Sequence, residues 1–301
     1  WLKFSPTLIL RKFSHPWTDT IYGFFSDMST YEAYDKISQN YDETRVPVGI
    51  EILLGCLAKS DKPIHQTTLL DAGCGTGSYS QELVNHVKRI EAVDTSDGMI
   101  QMASRKLKRH RNEGRISFSR ARLDALPFET GFVDAVMVNQ VLHHIDDPGN
   151  NHFPGQRRII QEFYRVLRPS GSLVINTCSQ EQLRYGYWYC DLVPEAAKML
   201  SRRFIPLDNL RKLLIESGFT YHGSFVPLDG ILQGEDYFDV CGPLNENWRA
   251  GDSTFALATE EQLGEAYKTI NKLDANGKLT DHFEKLDRHR KFIGQVTFIL
   301  A

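Results

Sequence analysis

The stretch Leu69-Leu-Asp-Ala-Gly-Cys-Gly-Thr-Gly77 decides the fold of this chain of 301 residues. Its apolar start predicts a short buried strand, and a helical pattern from Ser78 to Val87 follows three glycines at alternate positions. Glycine permits positive φ and lets a ligand approach the backbone closely, and a helix N-terminus offers free N–H groups. A strand that turns through glycines into a helix therefore predicts a nucleotide-binding site.

The spacing of this loop distinguishes between kinds of nucleotide site. A Rossmann dinucleotide loop needs its third glycine where Ser78 stands, and a P-loop needs a lysine that is absent here. The next predicted strand, Ile90 to Asp94, ends in a carboxylate that can accept both hydroxyls of a ribose. The Asp-x-Gly-x-Gly-x-Gly pattern led by Asp71 resembles motif I of the class I S-adenosylmethionine-dependent methyltransferases.

Other segments extend this resemblance. The segment Arg165-Val-Leu-Arg-Pro-Ser-Gly171 before a predicted strand is another family pattern, and the motif set is similar to that of quinone-biosynthesis C-methyltransferases. The resemblance implies S-adenosylmethionine as cofactor and S-adenosylhomocysteine as product. It also implies a Rossmann-like α/β fold, a doubly wound seven-stranded mixed sheet with an antiparallel last strand and lid insertions.

The family pattern indicates which residues bind the cofactor. These are Asp71, Gly73, Cys74, Gly75 and Gly77 in the loop, Asp94, Thr95 and Met99 after the second strand, Arg122 and Leu123, Asn139 and Gln140, and Tyr41 and Arg45 on a preceding helix. Arg45 would pair with the cofactor carboxylate. Arg122 is a departure, because the family has an aspartate there that receives the adenine amino group.

The fourth strand, predicted from Gly131 to Asn139, ends where the methyl group should lie, because ligands of open α/β sheets bind at the carboxyl ends of strands. His143 and His144 follow it and are candidate general bases. The alternative is that this Leu-His-His step shapes the loop or packs in the core.

The remaining pattern completes an α/β alternation. We predict helices at 48–58, 97–110 with Ser96 as N-cap, 156–167 and 207–217, and strands at 115–119, 172–177 and within 292–300. We expect residues 1–29 to be a disordered or targeting extension, and 30–301 to be one methyltransferase domain with insertions at about 179–204 and 227–290.

We expect the two insertions to determine the substrate specificity. The first carries the aromatic residues Tyr185, Tyr187, Trp188 and Tyr189, which can line a pocket for an apolar acceptor or form the underside of a lid. The second carries Asp274-Ala-Asn-Gly277, which resembles the middle of an EF-hand. Lys272 and Phe283 stand where the essential carboxylates belong, so a helix–turn–helix is predicted and no metal.

Composition narrows the class of protein. The net charge of −3 gives no electrostatic case for nucleic acid, and no apolar run approaches the ~20 residues of a membrane span. The 5 cysteines lack any Cys-x-x-Cys pair, which indicates reduced thiols in an intracellular, cytoplasmic protein. A basic N-terminal segment that is the remnant of a transit peptide would instead indicate a mitochondrial one.

The prediction is therefore S-adenosylmethionine-dependent methyl transfer to a small-molecule acceptor, with no choice among O, N, C or S as the acceptor atom and none of oligomeric state. Three alternatives remain open. One is a catalytically inactive methyltransferase-like binding protein, which Arg122 supports. Another is an arsenite methyltransferase, which would use Cys178, Cys190 and Cys241. The third, a nucleotide-dependent oxidoreductase, is disfavoured by Ser78.

Overall fold

The computed structural model describes residues 44–145 and 153–301. Seven strands form one sheet in the order β3-β2-β1-β4-β5-β7-β6. Their bounds are β1 Thr68–Ala72, β2 Arg89–Asp94, β3 Ile116–Arg120, β4 Val133–Asn139, β5 Leu167–Thr177, β6 Gly223–Phe225 and β7 Thr297–Leu300. The strand β7 is antiparallel to both of its neighbours, and all other pairs are parallel. The predicted fold class is confirmed.

Helices cover both faces of the sheet because successive strand residues point to opposite sides. On β1, Leu69 packs in the core beneath the helix Ile50–Ala58, and Leu70 packs in the core on the other face. That second core is formed with the helices Pro154–Val166 and Leu207–Glu216. A doubly wound arrangement follows, in which β1 lies between β2 and the central strand β4.

The helices are numbered in chain order through the described residues. They are α1 Ile50–Ala58, α2 Ser78–Leu83, α3 Asp97–Lys106, α4 Lys108–Asn112, α5 Pro154–Val166, α6 Gln180–Tyr185, α7 Pro194–Ser201, α8 Leu207–Glu216, α9 Glu246–Arg249, α10 Ser253–Ala256, α11 Glu260–Ala275, α12 Leu279–Asp287 and α13 Arg290–Ile293.

Most element boundaries lie close to the predicted ones; three differ, and two of these differences have visible causes. The predicted helix 97–110 divides into α3 and α4 because Leu107 leaves helical geometry, with φ −102° and ψ 23°. The helix α2 ends at Leu83, four residues early. The strand β5 begins at Leu167 instead of 172, because Leu167 already pairs with Val133 before a break in register. Ser96 is the predicted N-cap, and its hydroxyl accepts the N–H of Met99 at 3.1 Å.

The two insertions are helical. The first carries α6 and α7, and the second carries α9 to α12 and lies between β6 and β7. The predicted helix–turn–helix is confirmed, because α11 and α12 flank Gly277 with its φ of 63°. Residues 1–43, with Tyr41 and the expected extension, lie outside the described residues. In the described ranges, no helix has the length and apolar character needed to traverse a bilayer.

The carboxylate of Asp134 joins β4 to the start of β1, to the loop before β1 and to the start of β5. It accepts the backbone N–H of Thr68 at 2.7 Å and forms ion pairs with Lys62 and Arg168. Burial opposes its charge, but these three donors hold the pKa of the Asp134 carboxyl below its usual value. Asp134 is therefore structural, as its place at the start of β4 predicts.

Replacing Asp134 with alanine should leave Lys62 and Arg168 without their buried partner. We expect the free energy of unfolding to fall by about 2 kcal/mol, less than for a fully buried pair because Lys62 is partly exposed. Urea unfolding followed by circular dichroism measures this change. Asp61→Ala removes an exposed carboxylate from the same arginine and should have little effect. Equal losses in the two variants would contradict this account.

Asp71 stands near the carboxyl end of β1 and is almost completely buried. Its Oδ2 accepts a hydrogen bond from the Ser80 hydroxyl of α2 at 2.7 Å. Burial raises the pKa of Asp71, the hydrogen bond from Ser80 opposes this shift, and the nearby charge of Asp94 adds to it, so that the pKa is about 7. The folded protein therefore binds a proton here that the unfolded chain, with a pKa of about 3.9, has released.

Asp71→Asn should remove a pH dependence of stability. Between pH 4 and 7 the folded state binds more protons at Asp71 than the unfolded state, so this contribution falls as pH rises, by up to about 1.4 kcal/mol per pH unit. Urea unfolding at pH 5 and pH 7 should thus show the wild type losing stability relative to Asp71→Asn. The control, Asp229→Asn in an exposed turn, should follow the wild type. Parallel pH profiles for wild type and Asp71→Asn would refute the shift.

Candidate active site

A cavity opens at the carboxyl ends of β1 and β4, where the strand order reverses. The sheet, the segment before α1 and both insertions contribute to its wall. Its lining residues are Arg45, Val46, Pro47, Asp71, Gly73, Cys74, Gly75, Thr76, Ser78, Tyr79, Asn139, Gln140, His143, His144, Cys178, Leu183, Tyr187, Tyr189, Cys190, Ala197, Leu200, Phe204, Leu232, Gln233, Gly251, Asp252, Ser253 and Thr254.

The glycine loop forms one side of this cavity. Gly73, Gly75 and Gly77 have φ values of 79°, 52° and 78°. A Cβ at Gly73 would lie 2.6 Å from Val141, and one at Gly77 would lie 3.1 Å from Ala103. A Cβ at Gly75 would meet no atom within 4 Å. Two of the glycines thus allow close packing, and the third presents its backbone to open space.

The carboxylate of Asp94 fixes the position of this loop. Its Oδ2 accepts the N–H of Gly75 at 2.9 Å, and its Oδ1 accepts the N–H of Ser96 at 2.9 Å. The tip of β2 is therefore tied to the loop that follows β1.

The end of β4 carries an unsatisfied polar side chain. Both amide atoms of Asn139 are buried and find no hydrogen-bond partner among the described residues. Gln140 adopts a left-handed φ of 53°, and its Nε2 donates to Asn176 at 2.9 Å. Strained backbone and unpaired buried amides cost free energy and cluster at ligand sites. This strand end is thus shaped for a polar ligand.

His143 and His144 lie in a short 3₁₀ turn after β4, and both are buried in the cavity wall. Their ring centroids are 4.0 Å apart, and His143 stacks on Phe204 at 4.1 Å with an interplanar angle of 11°. Burial lowers the pKa of His143 well below its usual value, and the charges of His144 and Arg203 lower it further. The imidazole of His143 is therefore neutral near pH 7 and can accept a proton.

The first insertion supplies the aromatic side of the cavity. Tyr187 and Tyr189 line it, and the Sγ of Cys178 lies 3.6 Å from the Tyr187 hydroxyl. Burial raises the pKa of the Cys178 thiol to about 12, so it is protonated. Trp188 instead donates its indole N–H to the carbonyl of Tyr237, and the exposed Tyr185 packs on His289.

Trp188 and Tyr185 line a second cavity, between α6, α7 and α12. Leu183, Tyr187, Cys190 and Ala197 line both cavities, so these four side chains separate the two. Of the three cysteines considered for arsenic, Cys178 and Cys190 line the first cavity, whereas Cys241 is exposed and does not. No group of three metal-ligating side chains is found within residues 44–145 and 153–301.

Arg45 lines the cavity, but its guanidinium is engaged by the second insertion. Its Nη2 donates to Asp252 at 2.8 Å and to the carbonyl of Gly251 at 3.0 Å. Asp252 is buried and also accepts the hydroxyl proton of Tyr189 at 2.7 Å. The role of Arg45 as a partner of the cofactor carboxylate stays a prediction, and in this structure its guanidinium pairs with Asp252.

Some predicted cofactor residues do not contribute to the cavity lining. Gly77, Asp94, Thr95, Met99, Arg122 and Leu123 do not line it. Arg122 forms a two-point ion pair with Asp124, at 2.9 and 2.8 Å. Leu123 and Met99 are buried. Their assignment as adenosine contacts stays a prediction.

The structure adds residues that the sequence did not single out. Gln233 and Asp252 come from the second insertion, and Tyr79 and Asn176 join α2 to β5 below the cavity. The hydroxyl of Tyr79 accepts hydrogen bonds from Asn176 and from the N–H of Val48, at 3.0 and 3.2 Å. Asp252 before Ser253 is readable as a helix N-cap, but nothing in the sequence places it beside Arg45.

Comparison with known proteins agrees with this geometry. Residues 70–175 match the family model described as a methyltransferase domain. A demethylmenaquinone methyltransferase of Clavibacter sepedonicus is 27% identical over 176 residues, which cover 56% of this chain and 67% of that protein. A ubiquinone/menaquinone biosynthesis C-methyltransferase of Klebsiella pneumoniae is 28% identical over 181 residues, which cover 58% and 67%.

Solved structures establish the fold alone. A protein from an antibiotic biosynthesis pathway of Anabaena variabilis superimposes with a TM-score of 0.67 at 23% identity, covering 86% of this chain and 99% of the other. The [4+2]-cyclase SpnF has a TM-score of 0.51 at 16% identity, covering 89% and 93%. The same fold thus supports different chemistries. By its sequence match and its strand order, the chain carries a methyltransferase domain of the class I S-adenosylmethionine-dependent type at residues 70–175.

Proposed function

We propose that this protein transfers the methyl group of S-adenosylmethionine to a small-molecule acceptor held between the sheet and the two insertions. The observation that carries the proposal is one cavity shared by the glycine loop, the end of β4 and the aromatic insertion. Residues 30–301 would act as one catalytic domain in which the insertions at about 179–204 and 227–290 recognise the acceptor. The product would be S-adenosylhomocysteine.

The loop residues Asp71, Gly73, Cys74, Gly75 and Gly77 would hold the cofactor against the backbone. Asp94 would accept the ribose hydroxyls, and Thr95, Met99, Arg122 and Leu123 would surround the adenine. Asn139, Gln140, Arg45 and Tyr41 would contact the methionine part. The open space at Gly75 and the unpaired amide of Asn139 support this assignment, since both fit a polar ligand lying across the strand ends.

Bound here, S-adenosylmethionine supplies a sulfonium methyl group that a nucleophile can displace. The residues of this chain contribute by holding the acceptor in line and excluding water, which accounts for much of the rate of such a displacement. Tyr187 and Tyr189 would line the acceptor side, whereas the buried indole of Trp188 and the exposed Tyr185 would support it from the second cavity. His143, or His144 beside it, would take a proton from an acceptor that must lose one.

Isothermal titration calorimetry with S-adenosylhomocysteine tests the cofactor assignment. We expect micromolar binding by the wild type, and a loss of about tenfold to a hundredfold in Asp94→Ala because charge-assisted hydrogen bonds to the ribose disappear. Asp97→Ala, which removes an exposed carboxylate three residues later, should bind as the wild type does. Binding of NAD in place of S-adenosylhomocysteine, or of neither, would overturn the proposal.

Transfer of labelled methyl groups to a panel of small molecules tests the reaction. The relatives named for demethylmenaquinone make short-chain demethylmenaquinone analogues the first compounds of this panel. Micromolar cofactor binding without transfer to any compound would favour a binding protein instead.

His143→Gln should lower kcat about a hundredfold with the best acceptor of that panel, because a positioned base contributes about 10²–10⁴ to such reactions. The affinity for S-adenosylhomocysteine should stay the same. His65→Gln, an exposed histidine far from the cavity, is the control and should keep the wild-type kcat. An unchanged kcat in His143→Gln would exclude His143 as the base, and an unchanged kcat in His144→Gln as well would show that positioning alone drives the transfer.

A further inference from the structure

The side-chain carbonyl of Gln233 is a buried hydrogen-bond acceptor that the cavity leaves unused. Gln233 comes from the second insertion, is 6% exposed and lines the cavity. Its Oε1 finds no hydrogen-bond partner among the described residues. A buried carbonyl without a donor costs about 1–3 kcal/mol, so such a group commonly has a ligand or water as its partner.

The hydrogen bonds around Gln233 fix which amide atom is free. Tyr189 donates its hydroxyl proton to Asp252 Oδ2 at 2.7 Å, so the Tyr189 oxygen can only accept a further bond. The Nε2 of Gln233 donates to that oxygen and, at 3.4 Å, to Asp252 Oδ2. A flipped amide would direct its carbonyl at two acceptors. The carbonyl of Gln233 therefore points away from this cluster.

Contacts connect Gln233 to the end of β4. The Cys178 Sγ lies 3.6 Å from Gln140 Oε1 and 3.6 Å from the Tyr187 hydroxyl. The ring of Tyr187 lies 5.8 Å from that of Tyr189, which bonds to Gln233. These contacts form the wall contributed by β5, the first insertion and the second insertion. Gln233 thus belongs to this wall, whereas the glycine loop forms another side of the cavity.

The charges of the cavity define the kind of ligand. Of the described residues that line it, Arg45 is the only arginine or lysine, and Asp252 already neutralises it. Leu183, Leu200, Phe204 and Tyr187 provide apolar and aromatic surface. An anionic acceptor would find no free cation in this wall, and its desolvation would be uncompensated. The wall fits a neutral, largely apolar compound.

We propose that Gln233 Oε1 is a specificity-determining group that accepts a hydrogen bond from an O–H or N–H of a neutral, largely apolar acceptor. This inference rests on the proposed methyl transfer and extends it to the chemistry of the acceptor. The bond orients the acceptor through the network of Tyr189, Asp252 and Arg45. A compound of the same shape without a donor leaves the carbonyl unpaired, so the site rejects it.

Indole and 1-methylindole test the proposal, because they share one flat ring system and differ in a single N–H donor. Their dissociation constants are measured by calorimetry on the full chain saturated with S-adenosylhomocysteine. In Gln233→Leu, the ratio of the constant for 1-methylindole to that for indole should fall about fivefold or more from its wild-type value. Comparing ratios cancels the effect of the extra methyl group.

Matched measurements separate the possible results. Gln66→Leu, at an exposed position outside the cavity, should keep the wild-type ratio. The affinity of Gln233→Leu for S-adenosylhomocysteine should stay within about threefold of wild type, which shows that the variant is folded. The proposal is overturned if the ratio is unchanged in Gln233→Leu, or if neither probe binds the wild type. It is also overturned if Gln233→Leu loses affinity for S-adenosylhomocysteine alone. A wild type that binds no S-adenosylhomocysteine refutes the proposed methyl transfer itself.

Discussion

The hydrogen bond from the Gly75 N–H to the Asp94 carboxylate is the constraint on which the site depends. It ties the loop after β1 to the tip of β2 while the backbone of that loop is in the left-handed region. Two neighbouring glycines admit Val141 and Ala103 at distances that a Cβ would forbid. The carboxylate of Asp94 therefore fixes the loop at Gly75, while Val141 packs against Gly73 and Ala103 packs against Gly77. Its one open position, Gly75, faces the cavity.

The second organising feature is the cluster of Arg45, Asp252, Tyr189 and Gln233. Arg45 and Asp252 are far apart in the chain, and their ion pair joins the segment before α1 to the second insertion. The hydroxyl of Tyr189 adds the first insertion to the same carboxylate. Three segments that each lack a complete core thus meet at one buried charge. An isolated carboxylate would be strongly disfavoured in this buried position. The carboxylate of Asp252 is stable there because it pairs with Arg45 and accepts hydrogen bonds from several donors.

The sequence predicted the parts of this molecule that local pattern controls. Short apolar runs, the glycine loop, the Ser96 cap and the carboxylate at Asp94 are short-range signals, and they predicted the sheet and one edge of the site. The divided helix at Leu107 and the early start of β5 were missed because tertiary contacts decide them. Gln233 and the partner of Arg45 were missed for the same reason. Their contacts join residues more than 40 positions apart, and no periodicity encodes such distances.

The aromatic residues of the first insertion are close together in sequence but line two different cavities. Tyr189 lines the first cavity, Tyr187 lines both cavities, and Trp188 lines the second and packs on Phe283 of α12. Their clustering in the sequence made all of them candidates for one wall, and the fold divides them between two.

The partition between the two cavities has a consequence for how this scaffold can change. Leu183, Tyr187, Cys190 and Ala197 form that partition, since all four line both cavities. Shortening one of the larger side chains should join the two cavities, and enlarging Ala197 should separate them further. In the proposed reaction, these four side chains would thus limit the length of the acceptor. Mutation can therefore vary the range of accepted compounds while the strand ends stay as they are.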